Sequence, residues 1–361
     1  MNATFDRASL EGSDAELLNG LFGDECGSRG GEWQFLFRAG HLLLLAPAER
    51  AALARALKWY RALRFPARLY KRILISASSS CCWEMLPTTR ICSRNGFIAA
   101  FERETGRKIT SVLFGNPNQK HRRAILRAVG PGGADWVVKV GFNEEARIAI
   151  DREAKALADA RLVSRSVPEL LKEKEIGAGR AIVIQELSGD PMVAPLAAVP
   201  EVISLLRSWT RFSVREPISA LTCWDRLGAG WKGPQEKLGE VVSPILLSPA
   251  LCHGDFAAWN LLLSGDGKVS AIDWEWSDRS GIPGWDLVHL FCQHFTMTKR
   301  CSADEVVQET LKALNQDLPK AFLLECGWPN VAAAFATYSC SLNPIFTGPQ
   351  GSALARLCSL V

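Results

Sequence analysis

Between two apolar runs, the stretch LCHGDFAAWNLLL at residues 251–263 places His253, Asp255 and Asn260. A carboxylate accepts or orients a proton, and an amide presents both an oxygen and an N–H pair. In a turn the same side chains often only cap backbone groups. The pattern stops too soon for a helix and carries too many polar groups for a strand interior. It reads as a short strand, a tight loop and a second short strand, which holds the acid and the amide in place between apolar anchors. Three further residues have types that could join such chemistry: Lys139 in WVVKVG, Glu153 in a helical pattern after it, and Asp273 in VSAIDWEWSD. Taken singly, each has a plain alternative, since a strand lysine is usually a surface charge and a helix glutamate is usually solvated.

The elements that must position these residues are legible from position 109 onward. ITSVLFG, RAILRAV and WVVKVG predict three consecutive antiparallel strands, the last two joined by the Gly-rich turn PGGAD. EEARIAIDREAKALADARL at 144–162 carries apolar residues at three-and-four spacing and predicts a helix. RAIVIQEL at 180–187 predicts another strand, ended by SGDPM. Residues 194–361 are richer in helical pattern, while 1–105 are mostly helical, with PAERAALARALKWYRALRF at 47–65 as the plainest helix. Its basic amphipathic face suits packing on the body of the protein, with a partner or a membrane surface as the alternatives. The fold class expected is α+β: an N-terminal, mostly helical extension over 1–105, a small lobe with an antiparallel sheet over 106–190, and a larger, mainly helical lobe over 191–361.

With 361 residues, 48% of them hydrophobic, the chain is long enough to bury a sizeable core in two lobes. A net charge of +4, with no basic block interleaved with aromatics, disfavours nucleic acid as a partner. The N-terminal residues have early acids and no continuous apolar region, and LLLLA at 42–46 falls far short of the roughly 20 residues of a spanning helix, so a cytoplasmic protein is expected. The eleven cysteines include no C-x-x-C pair, and the adjacent Cys81 and Cys82 read as reduced thiols. His289, Cys292 and His294 lie in an apolar helix-like segment without a paired second half, which reads as packing rather than zinc binding.

In order and spacing these residues resemble the aminoglycoside phosphotransferase and choline kinase superfamily, relatives of the protein kinases. HGDFAAWN resembles the H-G-D-x-x-x-x-N catalytic loop, and AIDWEWSD resembles the I-D-W-E segment, over about residues 109–295. The resemblance implies a two-lobed, protein-kinase-like fold and an ATP- and Mg²⁺-dependent phosphotransferase acting on a hydroxyl of a small molecule. Phosphoryl transfer asks the protein mainly to position the nucleophile and to neutralise charge. Asp255 would accept or orient the hydroxyl proton, with His253 bracing the catalytic loop. Asn260 and Asp273 would offer hard oxygens to Mg²⁺. Lys139 would hold the α- and β-phosphates with Glu153 as its ion-pair partner, and backbone groups of Glu186, Leu187 and Ser188 would pair with adenine. Asp286 in GWDLVHLF resembles the family aspartate that supports the loop; as a first-turn acid it would also suit the helix dipole.

Two departures from the protein-kinase pattern bear on the substrate. FGNPNQKHR at 114–122 lacks G-x-G-x-x-G, and Ala257 stands where protein kinases commonly carry a lysine, which lowers the case for a protein acceptor. Residues 287–361 hold Asp304, Glu305, Glu309, Asp317 and Glu325 against Lys299, Arg300, Lys312, Lys320 and Arg356, a balance that gives no support to a polycationic antibiotic. Trp274, Trp276 and Trp285 raise an aromatic cage for a quaternary amine, with core packing as the commoner use. The rival class is a non-catalytic nucleotide-binding or scaffold protein with a kinase-like fold, its N-terminal region serving as an interaction module.

Overall fold

The computed structural model describes residues 12–23, 31–38, 40–60, 65–80, 88–91, 95–130, 135–222, 224 and 234–341. The expected turn residues 131–134 and the Cys81–Cys82 pair lie outside them. Two compact units divide the chain, Met1–Lys155 with Pro168–Glu186 and Ala156–Val167 with Leu187–Val361.

In the first unit the three expected strands form as β4 (Lys108–Phe114), β5 (Ala124–Val129) and β6 (Trp136–Gly141), and the helix that follows is α5 (Glu144–Val163). The side chain of Asn143 accepts the Ala146 N–H at 2.8 Å, which caps the start of α5. The strand expected at 180–187 is β8 (Gly179–Gln185), and beside it runs β7 (Leu170–Ile176), which the periodicity does not announce. LLKEKEI sits at the sheet edge with exposed charges, as edge strands commonly do.

Residues before 105 do contain helices: α1 (Gly12–Phe22), α2 (Ala52–Trp59), α3 (Phe65–Ser79) and α4 (Phe97–Thr105). They also contain three strands, β1 (Gly31–Arg38), β2 (His41–Pro47) and β3 (Thr88–Ile91), which was not expected of a helical extension. These strands complete an eight-stranded sheet in the order β3-β1-β2-β4-β5-β6-β8-β7, with every pairing antiparallel. HLLLLAP was illegible because apolar residues occupy both sides of β2. Leu42 and Leu45 join a cluster with Phe22, Phe97 and Phe101, whereas Leu44 and Ala46 join Leu53, Leu57 and Leu74. A strand buried on both sides shows no alternation and cannot be told from a buried helix by period. Arg122, inside the 114–122 loop, is fully buried, pairs with Asp14 and donates to the Leu42 carbonyl, so this loop ties α1 to β2.

The second unit is mainly helical, with Val199–Trp209, Pro234–Val242, Trp285–Gln293, Ala303–Leu314, Asp317–Glu325 and Val331–Ser341 among its helices. Its strands are short: β9 (Asp190–Pro191), β10 (Glu216–Pro217), β11 (Leu246–Leu247), β12 (Ala250–Cys252), β13 (Leu261–Leu263), β14 (Val269–Ala271) and β15 (Asp278–Gly281). β12 pairs with β15, and β13 pairs with β14 and β9, so each end of LCHGDFAAWNLLL is tied into a ladder as its apolar anchors predict. Among the described residues no helix is long and apolar enough to cross a membrane.

Candidate active site

The loop between β12 and β13 is fixed from three sides. His253 is fully buried, and its Nε2–H donates to the Ile272 carbonyl at 2.9 Å. Its Nδ1 accepts the Asp255 N–H at 3.3 Å, and its ring stands edge-on to Trp274 at 4.8 Å. Burial is the main cause that lowers its imidazole pKa. Both ring nitrogens of His253 are thus committed to backbone groups on either side of the loop.

Gly254 has φ +83°, and a Cβ there would stand 2.3 Å from the Trp276 carbonyl oxygen, so the glycine of HGD has no substitute. Below it, Asp286 accepts the His253 N–H at 2.7 Å and the Gly254 N–H at 3.1 Å, one on each carboxylate oxygen. Burial pushes the Asp286 carboxyl up, and the two backbone N–H groups pull it back down. The first-turn acid of the helix Trp285–Gln293 thereby also holds the loop's backbone.

Asp255 presents its carboxylate from this braced turn. Oδ2 accepts Asn260 Nδ2–H at 2.9 Å, and the same amide nitrogen donates to the Asp255 carbonyl at 3.0 Å. Oδ1 lies 3.1 Å from His289 Nε2, whose other nitrogen, Nδ1, is 2.8 Å from the Tyr338 hydroxyl. The Asp255 side chain keeps 35% of its exposure while His289 and Asn260 are buried, so an oriented carboxylate meets solvent on one side only. Such a group can take a proton from a hydroxyl delivered to that side.

The β13–β14 register pairs Leu261 with Ala271, and the Ile272 N–H extends it by donating to the Asn260 carbonyl at 2.9 Å. Asp273 follows at once, in a left-handed conformation with φ 71° that aspartate tolerates better than most residues. The hairpin thus brings the amide and the second carboxylate to its same end. With Asn260 Nδ2 committed to Asp255, its Oδ1 is the atom left for a cation. Among the described residues no group of three or more His, Cys, Asp or Glu side chains gathers to hold an ion. An amide oxygen and one carboxylate are hard donors and few in number, which fits Mg²⁺, an ion that keeps waters and phosphate oxygens in its shell.

In the first unit Lys139 on β6 and Glu153 on α5 are both buried, with Nζ and Oε1 2.5 Å apart. Glu153 Oε2 also takes Arg123 at 3.2 Å, so one carboxylate serves two cations. Arg123 was not singled out in the sequence, because it stands in a basic run beside a loop. The Glu186 N–H donates to the Asp135 carbonyl at 2.9 Å, and its carboxylate takes Trp59 Nε1–H at 3.3 Å and Arg127 Nε–H at 3.0 Å.

His289, read from the sequence as packed rather than zinc-binding, is buried and also meets Asp255, a contact which that reading did not include. Cys292 lies against Thr310, with its thiol pushed up to about 12 by burial. A signal existed, since Asp286 and His289 are three apart on one helix and so share a face. Tyr338 gave none. Of the three tryptophans, Trp274 is fully buried against Trp209 and His253, Trp276 is exposed, and Trp285 stands edge-on to Tyr338, so Trp274 belongs to the core rather than to a cage.

Comparison with known proteins gives a match to the model of the phosphotransferase enzyme family over residues 33–321. Among solved structures, the chain is similar to an aminoglycoside phosphotransferase from Streptomyces rimosus, at 18% identity and a TM-score of 0.41, covering 69% of this chain and 96% of that one. A type I macrolide 2'-phosphotransferase gives 15% identity, a TM-score of 0.39 and coverage of 72% and 94%. No curated protein gives a match.

Proposed function

The chain belongs to the phosphotransferase enzyme family, and from that premise we propose that it moves the γ-phosphoryl group of ATP, with Mg²⁺, to a hydroxyl of a small molecule such as a sugar or an amino alcohol. The observation that carries this reading is the Asp255 carboxylate, held on one oxygen by Asn260 and on the other by His289 while still reaching solvent. Asp255 takes the acceptor's proton as its oxygen attacks phosphorus. Asn260 and Asp273 would hold the Mg²⁺, which supplies charge neutralisation at the phosphates when bound. Lys139, kept in place by Glu153, binds the α- and β-phosphates, and the Glu186–Ser188 backbone binds adenine.

The test is Mg²⁺-dependent turnover of ATP against a library of hydroxyl compounds, comparing the parent with Asp255→Ala. Loss of transfer in the variant with nucleotide binding retained is expected. Equal rates would overturn the role of Asp255, and nucleotide binding without turnover in either protein would favour a non-catalytic nucleotide-binding protein.

A further inference from the structure

His289 and Tyr338 form a buried chain that ends on Asp255. His289 is 8% exposed and Tyr338 3%, and the two contacts run at 2.8 and 3.1 Å. The direction of each bond follows from what its atoms can do. A carboxylate oxygen only accepts, so the hydrogen in the contact with Asp255 belongs to His289 Nε2. In a neutral ring Nδ1 is then the acceptor, and the hydrogen in the other contact belongs to the Tyr338 hydroxyl. Burial raises the Tyr338 phenol well above its ordinary value, so it keeps that proton. The bonds of Asp255 from His289 and Asn260 arrive on different oxygens, which fixes the carboxylate plane.

We propose that His289 is a positioning residue for phosphoryl transfer: Tyr338 holds it in the Nε2–H tautomer, and it holds Asp255 Oδ1 so that the carboxylate's remaining lone pairs face the acceptor hydroxyl. The inference rests on the kinase reading above. As the acceptor oxygen bonds to the γ-phosphorus and the bond from that phosphorus to the β-bridging oxygen breaks, the hydroxyl proton passes to Asp255. ADP leaves with the bonding pair. His289 gains and loses no proton in this step; its N–H keeps the accepting oxygen aimed. Binding of substrates does not depend on it, so its effect belongs in kcat.

Two measurements on the full chain test this separately. In kinetics, His289→Leu should lower kcat by about 100-fold, the scale of a misplaced reacting group, with KM for ATP and acceptor within about threefold. His289→Gln, whose side-chain amide can donate to the same oxygen, should recover to within about tenfold of the parent. Comparable thermal midpoints and ATP affinities for the two variants would establish that both fold. A Leu variant with parental kcat, or a Gln variant as slow as Leu, overturns the positioning role. In the second measurement, ¹⁵N spectra of histidine-labelled protein should show His289 with a protonated Nε2 and an unprotonated, accepting Nδ1, and Tyr338→Phe should shift the ring toward a mixture of tautomers. A protonated Nδ1 in the parent, or a ring indifferent to Tyr338→Phe, overturns the relay. The spectra need no turnover: if the parent transfers phosphate to no hydroxyl, the kinase reading fails, and the resonances still decide the tautomer claim.

Discussion

Replacing Asp286 with alanine removes at one stroke the acceptor of two buried amides at the head of the catalytic loop. The His253 N–H at 2.7 Å and the Gly254 N–H at 3.1 Å both end on its carboxylate. A buried donor left without a partner costs about 1–3 kcal/mol, so two would cost about 2–6 kcal/mol. Against this, the carboxylate's own burial was unfavourable, as the upward displacement of its pKa shows, and that penalty disappears with the side chain. The lower half of the range follows, about 2–4 kcal/mol of lost stability, with a further ~0.3–1 kcal/mol from the helix N-terminus. Urea unfolding followed by circular dichroism should show a lower midpoint at an unchanged slope. Transfer should fall further than stability accounts for, by about 100-fold in kcat, because a shift of about 1 Å in the Asp255 carboxylate spoils attack geometry. Asp286→Asn, which keeps one acceptor oxygen, should fall between parent and alanine. An unfolding free energy within about 0.5 kcal/mol of the parent, ordinary for a surface substitution, together with parental kcat, would refute the brace.

Glu153→Ala removes the buried carboxylate that Lys139 and Arg123 share and should destabilise the chain by about 3–5 kcal/mol, the usual result of breaking a buried pair. Arg123→Ala leaves the Lys139 pair intact and should cost less, and urea midpoints of the two variants in the reverse order would sink this account. Stability should also fall on mild acidification because of His253. Its imidazole is depressed by burial below the ordinary 6.5, so between the folded value and 6.5 the unfolded chain binds a proton that the folded chain refuses. This contribution is complete above about pH 6.5 and declines as pH falls toward the folded value. The Asp286 carboxyl, raised by burial, works in the opposite sense, so the comparison is with His253→Gln: the stability gap between parent and variant, followed by urea unfolding from pH 8 to pH 5, should narrow. A gap independent of pH would contradict a neutral, buried His253.

Much of the fold was open to inspection in the residues themselves because its signals are local. Strands β4 to β6 show in their β-rich apolar runs bounded by turn residues, α5 in its three-and-four spacing, and the loop of Asp255 in the way apolar runs end on either side of it. The residues of that loop share a short segment, so a family resemblance could be read there, and the β13–β14 hairpin brings the backbones of Asn260 and Ile272, next to Asp273, together. Tertiary structure decided what no window of sequence contains. Strands β1 and β2, covered on both sides, show no alternation and declare themselves only when the sheet forms around them. Arg123 meets Glu153 30 residues away, and His289 meets Asp255 and Tyr338 across 34 and 49 residues. A histidine on an apolar helix face reads the same whether it packs or orients a carboxylate; the difference is set by which atom lies within 3.1 Å of its nitrogen, and only the folded chain brings that atom there.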